Sequence, residues 1–115
     1  MTNASDILGI DDLRKKTVHV DKWNIDVIVQ EFSGTDLQKV LALPSFSEGG
    51  SDFAIDDVAF VCCVALRDDD GNRILTDEQA PELAAKNVNA LMQIFTAALE
   101  ISGLTSEERD KEKNG

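Results

Sequence analysis

The segment at residues 53–67 most constrains the fold, because it is almost uninterrupted apolar sequence. Its longest unbroken part, Val58 to Leu66, is about half of what a bilayer span requires, so it has to be buried in a protein core. Periodicity alone does not separate a buried helix from a buried strand here. The run exceeds the usual strand length, and Asp52 offers an N-cap with Asp56 and Asp57 in or near the first turn. We therefore expect a buried helix over residues 53–67.

Two β-branched segments lie upstream of this helix. Thr17–Val20 and Ile25–Phe32 flank the short polar stretch Asp21–Asn24. Such a pattern predicts a β-hairpin whose turn lies at the polar stretch. Trp23 falls at the tip of this hairpin, where it either folds back on the strands or serves as an interface anchor, a position in which tryptophan is enriched.

The residues between the hairpin and the apolar segment are predicted to form a short helix and a loop. Ser33–Asp36 has the composition of a turn that leads into a helix cap. We expect a short helix from about Asp36 to Leu43, ended by Pro44. Residues 44–52 are rich in glycine and serine, which predicts a mobile loop.

The C-terminal part predicts one long helix. Asp70-Gly71-Asn72 is typical of a turn, and Thr76 with Gln79 has the spacing of a capping box. The helix is expected to run from about Pro81 to Ser102 and to end at Gly103. Its apolar stripe is wider than that of a usual surface helix, which indicates a central helix or one covered by another subunit.

Together these elements predict an α+β fold, with an N-terminal β-hairpin packed on a small helical bundle that has one long C-terminal helix. The chain has 115 residues, which suits a single domain over residues 1–104. Residues 105–115 are almost wholly polar and are expected to form a flexible tail.

The charge balance restricts the class of partner. The chain has 22 acidic residues against 11 lysines and arginines, a net charge of -11. This balance argues against binding nucleic acid or anionic membranes, both of which need basic residues. The excess is greatest over residues 48–82, where ten acidic residues stand against two arginines, a net charge of -8. A partner is therefore expected to be basic or apolar.

No pattern for catalysis, a cofactor or a metal emerges from the sequence. The acidic turn around Gly71 departs from a calcium loop, because Leu66 stands at the first ligand position and Asp77 at the last. His19 is the only histidine, and it is interpreted as a strand residue that faces solvent or the partner strand. Cys62 and Cys63 lie in the apolar run and are interpreted as small core residues. We therefore expect a non-enzymatic protein. We also expect a reducing compartment, because adjacent cysteines give no disulfide framework and the N-terminus lacks a signal peptide.

Several motifs occur in a fixed order along residues 15–104: Lys16–Trp23 as a strand, a Ser-Gly-Thr turn, Val64-Ala65-Leu66 at the end of an apolar helix, the acidic Asp70-Gly71-Asn72 turn, the Thr76 cap, and Ser102-Gly103-Leu104 after the last helix. In this order and spacing they resemble the tail assembly chaperones of long-tailed bacteriophages and prophages. The sequence departs from the family at Cys62-Cys63 and at residues 44–52.

This resemblance implies a non-enzymatic role in the cytoplasm of the host bacterium. Such proteins bind the aggregation-prone tape measure protein, keep it soluble, and help the tail tube protein assemble around it. They tend to form homo-oligomers and are absent from the mature virion. We accordingly expect a self-association or client surface that includes Leu91, Ile94, Phe95 and Ile101, with Trp23 at its rim.

The resemblance also implies a longer form made by programmed ribosomal frameshifting. Glu112-Lys113-Asn114 can be encoded as GAA-AAA-AAC, which contains a slippery heptamer. We expect the gene to carry this heptamer or a close relative, with an overlapping downstream reading frame. The codon GAG at position 112 would break the heptamer.

Two other classes of function are compatible with a small acidic protein. One is a dimeric secretion-type adaptor or chaperone, which would be encoded beside secretion components. The other is a nucleic-acid mimic, whose binding to a basic protein would be sensitive to salt.

Overall fold

The computed structural model describes residues 2–10, 12–47 and 53–104. The strands are β1 (Lys15–Val20), β2 (Ile25–Gln30) and β3 (Leu66–Arg67), and a 3-10 helix covers Asp77–Gln79. The α-helices are α1 (Ala4–Leu8), α2 (Gly34–Leu41), α3 (Pro44–Ser47), α4 (Ile55–Ala65), α5 (Ala80–Ala84) and α6 (Val88–Ile101). The predicted α+β architecture is confirmed, with a hairpin, a helical bundle and a long C-terminal helix.

The hairpin has the predicted turn but belongs to a larger sheet. β1 pairs antiparallel with β2, and Val20 lies opposite Ile25 across the turn. β3 then pairs with the other side of β2, so that the strand order is β1-β2-β3 and β1 lies at an edge. The prediction that the helix continues to residue 67 is wrong, because the backbone becomes extended at Leu66 and joins the sheet.

The buried helix is confirmed as α4. Seven of its eleven residues are buried, in agreement with its apolar sequence. Its N-cap is Ala54, and the predicted cap, Asp52, lies outside the described residues. Ser45 stabilises this end of the helix, because its Oγ accepts from the Ala54 N–H (3.0 Å) while its own N–H donates to the Asp57 carboxylate (3.0 Å).

Part of the predicted loop is helical. α3 occupies residues 44–47, and residues 48–52 lie outside the described part of the chain. The ring of Phe46 lies 5.1 Å from that of Phe53 and 6.3 Å from that of Phe95, measured between centroids. These contacts to distant residues hold α3 in place, and local composition did not reveal them.

The single long C-terminal helix is divided in two. α5 ends at Ala84, and α6 begins at Val88 after the cap residue Asn87. The Asn87 side chain accepts from the backbone N–H groups of Asn89 (3.0 Å) and Ala90 (3.1 Å). Because this cap satisfies two donors at the helix start, a new helix begins here and the predicted one is interrupted. The end of α6 is as predicted, with Gly103 at a φ of 73°.

The core lies between α4, α6 and the inner face of the hairpin. Val18, Val20 and Val29 of the sheet are buried against the helices. No helix of the described residues is long and apolar enough to cross a membrane. The expected flexible tail, residues 105–115, lies outside the described part of the chain.

Candidate protein-interaction surface

Three of the five residues predicted for an interaction surface belong to the core. Leu91 and Ile94 are 0% exposed and Phe95 is 2% exposed. Ile101 is half-buried and packs against the same core. The wide apolar stripe of α6 is therefore explained within one chain, because α4 and the sheet cover it. A surface role is therefore wrong for Leu91, Ile94 and Phe95 in the folded chain, and a role for Ile101 in an interface stays a prediction.

Trp23 lies in the hairpin turn, as predicted. Its backbone N–H donates to the Val20 carbonyl (3.2 Å). Its side chain is half-buried and packs against the core, which corresponds to the folded-back alternative. A role for its exposed part in an interface stays a prediction.

A groove lies between the outer edge of β1 and the exposed side of α6. We call it the β1–α6 groove; its volume is about 700 Å³. Its apolar side chains include Val18, Met92 and Ala97, and Met92 is 38% exposed. The other lining residues are polar or charged: Lys16, Thr17, His19, Asp21, Lys22, Asn89, Gln93, Thr96 and Glu100.

Gln93 connects the two walls of this groove. Its side-chain Nε2 donates to the His19 carbonyl (2.8 Å), and its Oε1 accepts from the Asp21 N–H (3.3 Å). The amide group of Gln93 thus bonds the strand edge as a peptide group of a neighbouring strand would. This interaction fixes the hairpin tip on α6 and leaves the rest of the edge facing the groove.

The charges of the groove balance, in contrast to those of the whole chain. The two positive charges of Lys16 and Lys22 equal in number the two negative charges of Asp21 and Glu100 in its lining. Among the described residues, neither lysine takes part in an ion pair. An acidic partner is therefore repelled less at this groove than elsewhere on the molecule.

A smaller cleft of about 420 Å³ lies on the outer face of the sheet. Its lining includes Ile25 (49% exposed), Ile74 (50% exposed) and Arg67. Arg67 pairs with Asp36 at 3.3 Å, and burial lowers the pKa of this guanidinium. The Nε of Arg67 is buried and has no hydrogen-bond partner within the described ranges. This arrangement ties the sheet to α2 and leaves only a shallow apolar surface.

The histidine and the two cysteines that were weighed as reactive residues lie in the sheet and in the core. The Nδ1 of His19 lies 2.8 Å from the Oδ1 of Asp26 across the hairpin, and the His19 side chain is half exposed. Both features agree with its interpretation as a strand residue. Cys62 and Cys63 are 0% exposed, which confirms them as core residues. Burial raises the pKa of the Cys62 thiol to about 12, so the reactive thiolate does not form near neutral pH. Across residues 2–10, 12–47 and 53–104, no three side chains are grouped in a way that could hold a metal.

The sequence contained a signal for the groove. Asn89, Gln93, Thr96 and Glu100 recur at helical spacing on the side of α6 opposite its buried stripe. This polar row marks the exposed wall of the groove. That β1 forms the other wall depends on packing between residues about 70 positions apart, as in the Gln93–His19 bond.

A comparison with solved structures finds similarity to the tail assembly chaperone of bacteriophage HK97. The two chains have 16% sequence identity and a TM-score of 0.54, over 77% of this chain and 85% of that chain. No protein-family model matches the chain, and a search of curated proteins gives no match. The similarity shows a shared fold, so the resemblance found in the sequence is confirmed at the level of the fold.

Proposed function

We propose that this chain is a phage tail assembly chaperone, which binds a tape measure protein and keeps it soluble during tail assembly. The observation that carries this proposal is the fold shared with the HK97 chaperone. The order of motifs along residues 15–104 supports it independently of the coordinates.

The β1–α6 groove is the surface best suited to the client. It combines the exposed side chain of Met92 with a neutral charge balance. The free energy falls when apolar segments of a long client leave water and bind the groove. The net charge of -11 lies mainly away from the groove and keeps the complex soluble.

The proposed role extends to tube assembly through a longer frameshifted form. In this scheme the domain binds the tape measure protein, and the added segment recruits the tail tube protein. The proposal includes self-association and action in the host cytoplasm without incorporation into the virion. Mass spectrometry of induced cells, searched for peptides that cross the frame after Asn114, detects the longer form.

Co-expression with the tape measure protein encoded downstream tests the proposal. We expect the client to remain soluble and to co-purify only when this chain is present. Met92→Asp, which places a charge in the groove, should reduce the soluble client severalfold. Val88→Asp is the matched control, because Val88 is 54% exposed on the same helix but outside the groove.

If the client aggregates equally with and without this chain, the experiment is repeated with the longer form. Aggregation in both cases would reject the chaperone function. If Met92→Asp and Val88→Asp behave alike while the wild type protects, the function stands and the groove assignment is wrong.

A further inference from the structure

The outer edge of β1 carries backbone groups that no neighbouring strand covers. β1 is an edge strand, because the sheet order is β1-β2-β3. In an antiparallel pair, backbone groups of alternate residues point to opposite sides. The Arg14 carbonyl accepts from Glu31 N–H on the inner side, so the even-numbered residues face β2.

The bonds of Gln93 confirm which residues face outward. Gln93 binds the carbonyl of His19 and the N–H of Asp21, both odd-numbered. The alternation then directs the N–H and carbonyl of Thr17, the N–H of His19 and the carbonyl of Lys15 toward the open edge. These four groups form the donor and acceptor ladder that an added strand requires.

Gln93 sets the limit of this open ladder. It already bonds the two edge groups nearest the hairpin tip, as a peptide group would. An added strand can therefore extend along residues 15–19 and stops where the Gln93 side chain begins.

The side chains of β1 select the charge of the added strand. Cross-strand neighbours on one face of a sheet interact directly, and opposite charges are favourable. β1 contains two lysines and no acidic residue. On its existing neighbour β2, the Asp26 carboxylate lies 2.8 Å from the His19 Nδ1 across the hairpin. On the open side, Lys16 and Val18 line the groove together.

We propose that the open edge of β1 binds an extended segment of a partner protein as a fourth strand, and that this segment places an acidic residue and, two positions away, an apolar residue on the face toward the groove. Acidic side chains lie beside Lys16, and apolar side chains contact Val18 and Met92. A second copy of β1 fits this edge poorly, because it would bring two positively charged strands together. The inference deepens the proposed function by defining the kind of client segment, and only the identity of the natural partner rests on that function.

Fluorescence anisotropy with short labelled peptides tests the charge preference. The probes are a peptide of the repeat Glu-Thr-Val-Thr and one of the repeat Lys-Thr-Val-Thr, in which charged and valine side chains follow each other along one face. At low salt we expect the acidic peptide to bind about tenfold more tightly than the basic one, and this ratio should fall as salt is added. Equal binding of the two peptides, or no binding of the acidic one, would overturn the proposal.

Two variants test the backbone ladder and the lysine separately. Thr17→Pro removes an outward N–H, which an edge strand tolerates, and should abolish binding of the acidic peptide. Thr17→Val keeps that N–H and should bind as the wild type does. Lys16→Glu should reverse the preference between the peptides, so the proposal remains testable if Thr17→Pro does not fold.

Hydrogen exchange locates the bound peptide. In the free protein the amides of Thr17 and His19 should exchange faster than those of Val18 and Val20. The acidic peptide should slow Thr17 and His19 about tenfold. Slowing elsewhere with none at Thr17 would overturn the proposal. No phage protein enters this test, so its failure is distinguishable from failure of the chaperone function.

Discussion

Single side chains of α6 have different roles because the helix has one buried and one exposed face. Ile94 is 0% exposed and Met92, two residues earlier, is 38% exposed. Ile94→Asp should lower the free energy of unfolding by about 3–5 kcal/mol, since it buries a charge and leaves a cavity. Met92→Asp should change it by about 0.5 kcal/mol or less. Urea titration followed by circular dichroism measures both, and similar losses would show that Met92 is not at the surface.

Gln93 is expected to stabilise the hairpin tip. Gln93→Ala removes the bonds to His19 and Asp21, and should lower the free energy of unfolding by about 1 kcal/mol. The Asp21 amide should then exchange faster. Thr96→Ala is the matched control, because Thr96 lines the same groove and is exposed. An unchanged exchange rate at Asp21 would contradict the proposed contact.

Because the thiol of Cys62 is buried, the free energy of unfolding falls as the pH rises in the alkaline range. Burial raises its pKa from 9.0 to about 12, so the folded state holds the proton more tightly than the unfolded state. The resulting stabilisation is complete below pH 9 and is lost as the pH rises from 9 toward 12. Cys62→Ala should therefore lose less stability than the wild type between pH 8 and pH 10.5 in urea titrations. Equal losses would contradict a protonated, buried thiol.

At the scale of secondary structure, the hairpin and α4 have local causes and could be predicted, whereas β3 and α3 depend on distant residues and could not. The hairpin follows from two β-branched runs around a polar turn, and α4 follows from a long apolar run. β3 forms because Leu66 and Arg67 pair with β2, which lies far away in the sequence. α3 similarly depends on the contact of Phe46 with Phe95.

The break between α5 and α6 depends on a local cap that the periodicity of the apolar residues concealed. Asn87→Ala removes two hydrogen bonds at the start of α6 and should cost about 1 kcal/mol of stability. Asn89→Ala is the matched control, because Asn89 is exposed within the same turn and contributes only its backbone to the cap. The difference between their urea midpoints measures the cap. Equal midpoints would show that the Asn87 side chain does not set the boundary.

At the scale of the whole molecule, the location of charge was predictable but the location of the groove was not. Residues 48–82 carry a net charge of -8, which is visible in the sequence. The apolar stripe of α6 suggested a surface, yet Leu91, Ile94 and Phe95 fill the core. Sequence alone does not reveal whether α4 and the sheet cover such a stripe. The β1–α6 groove became identifiable only when strand and helix were placed together.

In the proposed function, this arrangement separates two tasks. The neutral groove, with its apolar side chains and open strand edge, is the surface that we propose for the client. The acidic turn at Asp68–Asp70 contributes charge that favours solubility. We therefore expect separate substitutions to alter client binding and the solubility of the complex.

The most direct test of the account is hydrogen exchange on the complex co-purified with the tape measure protein. We predict slower exchange across Lys15–Lys22 in the complex than in the free chain, and no change at the Asp68–Asp70 turn. Val88→Asp should preserve this pattern, and Met92→Asp should weaken it together with the yield of complex. Protection confined to the outer face of the sheet around Ile74, with none in β1, would contradict the groove as the client-binding surface.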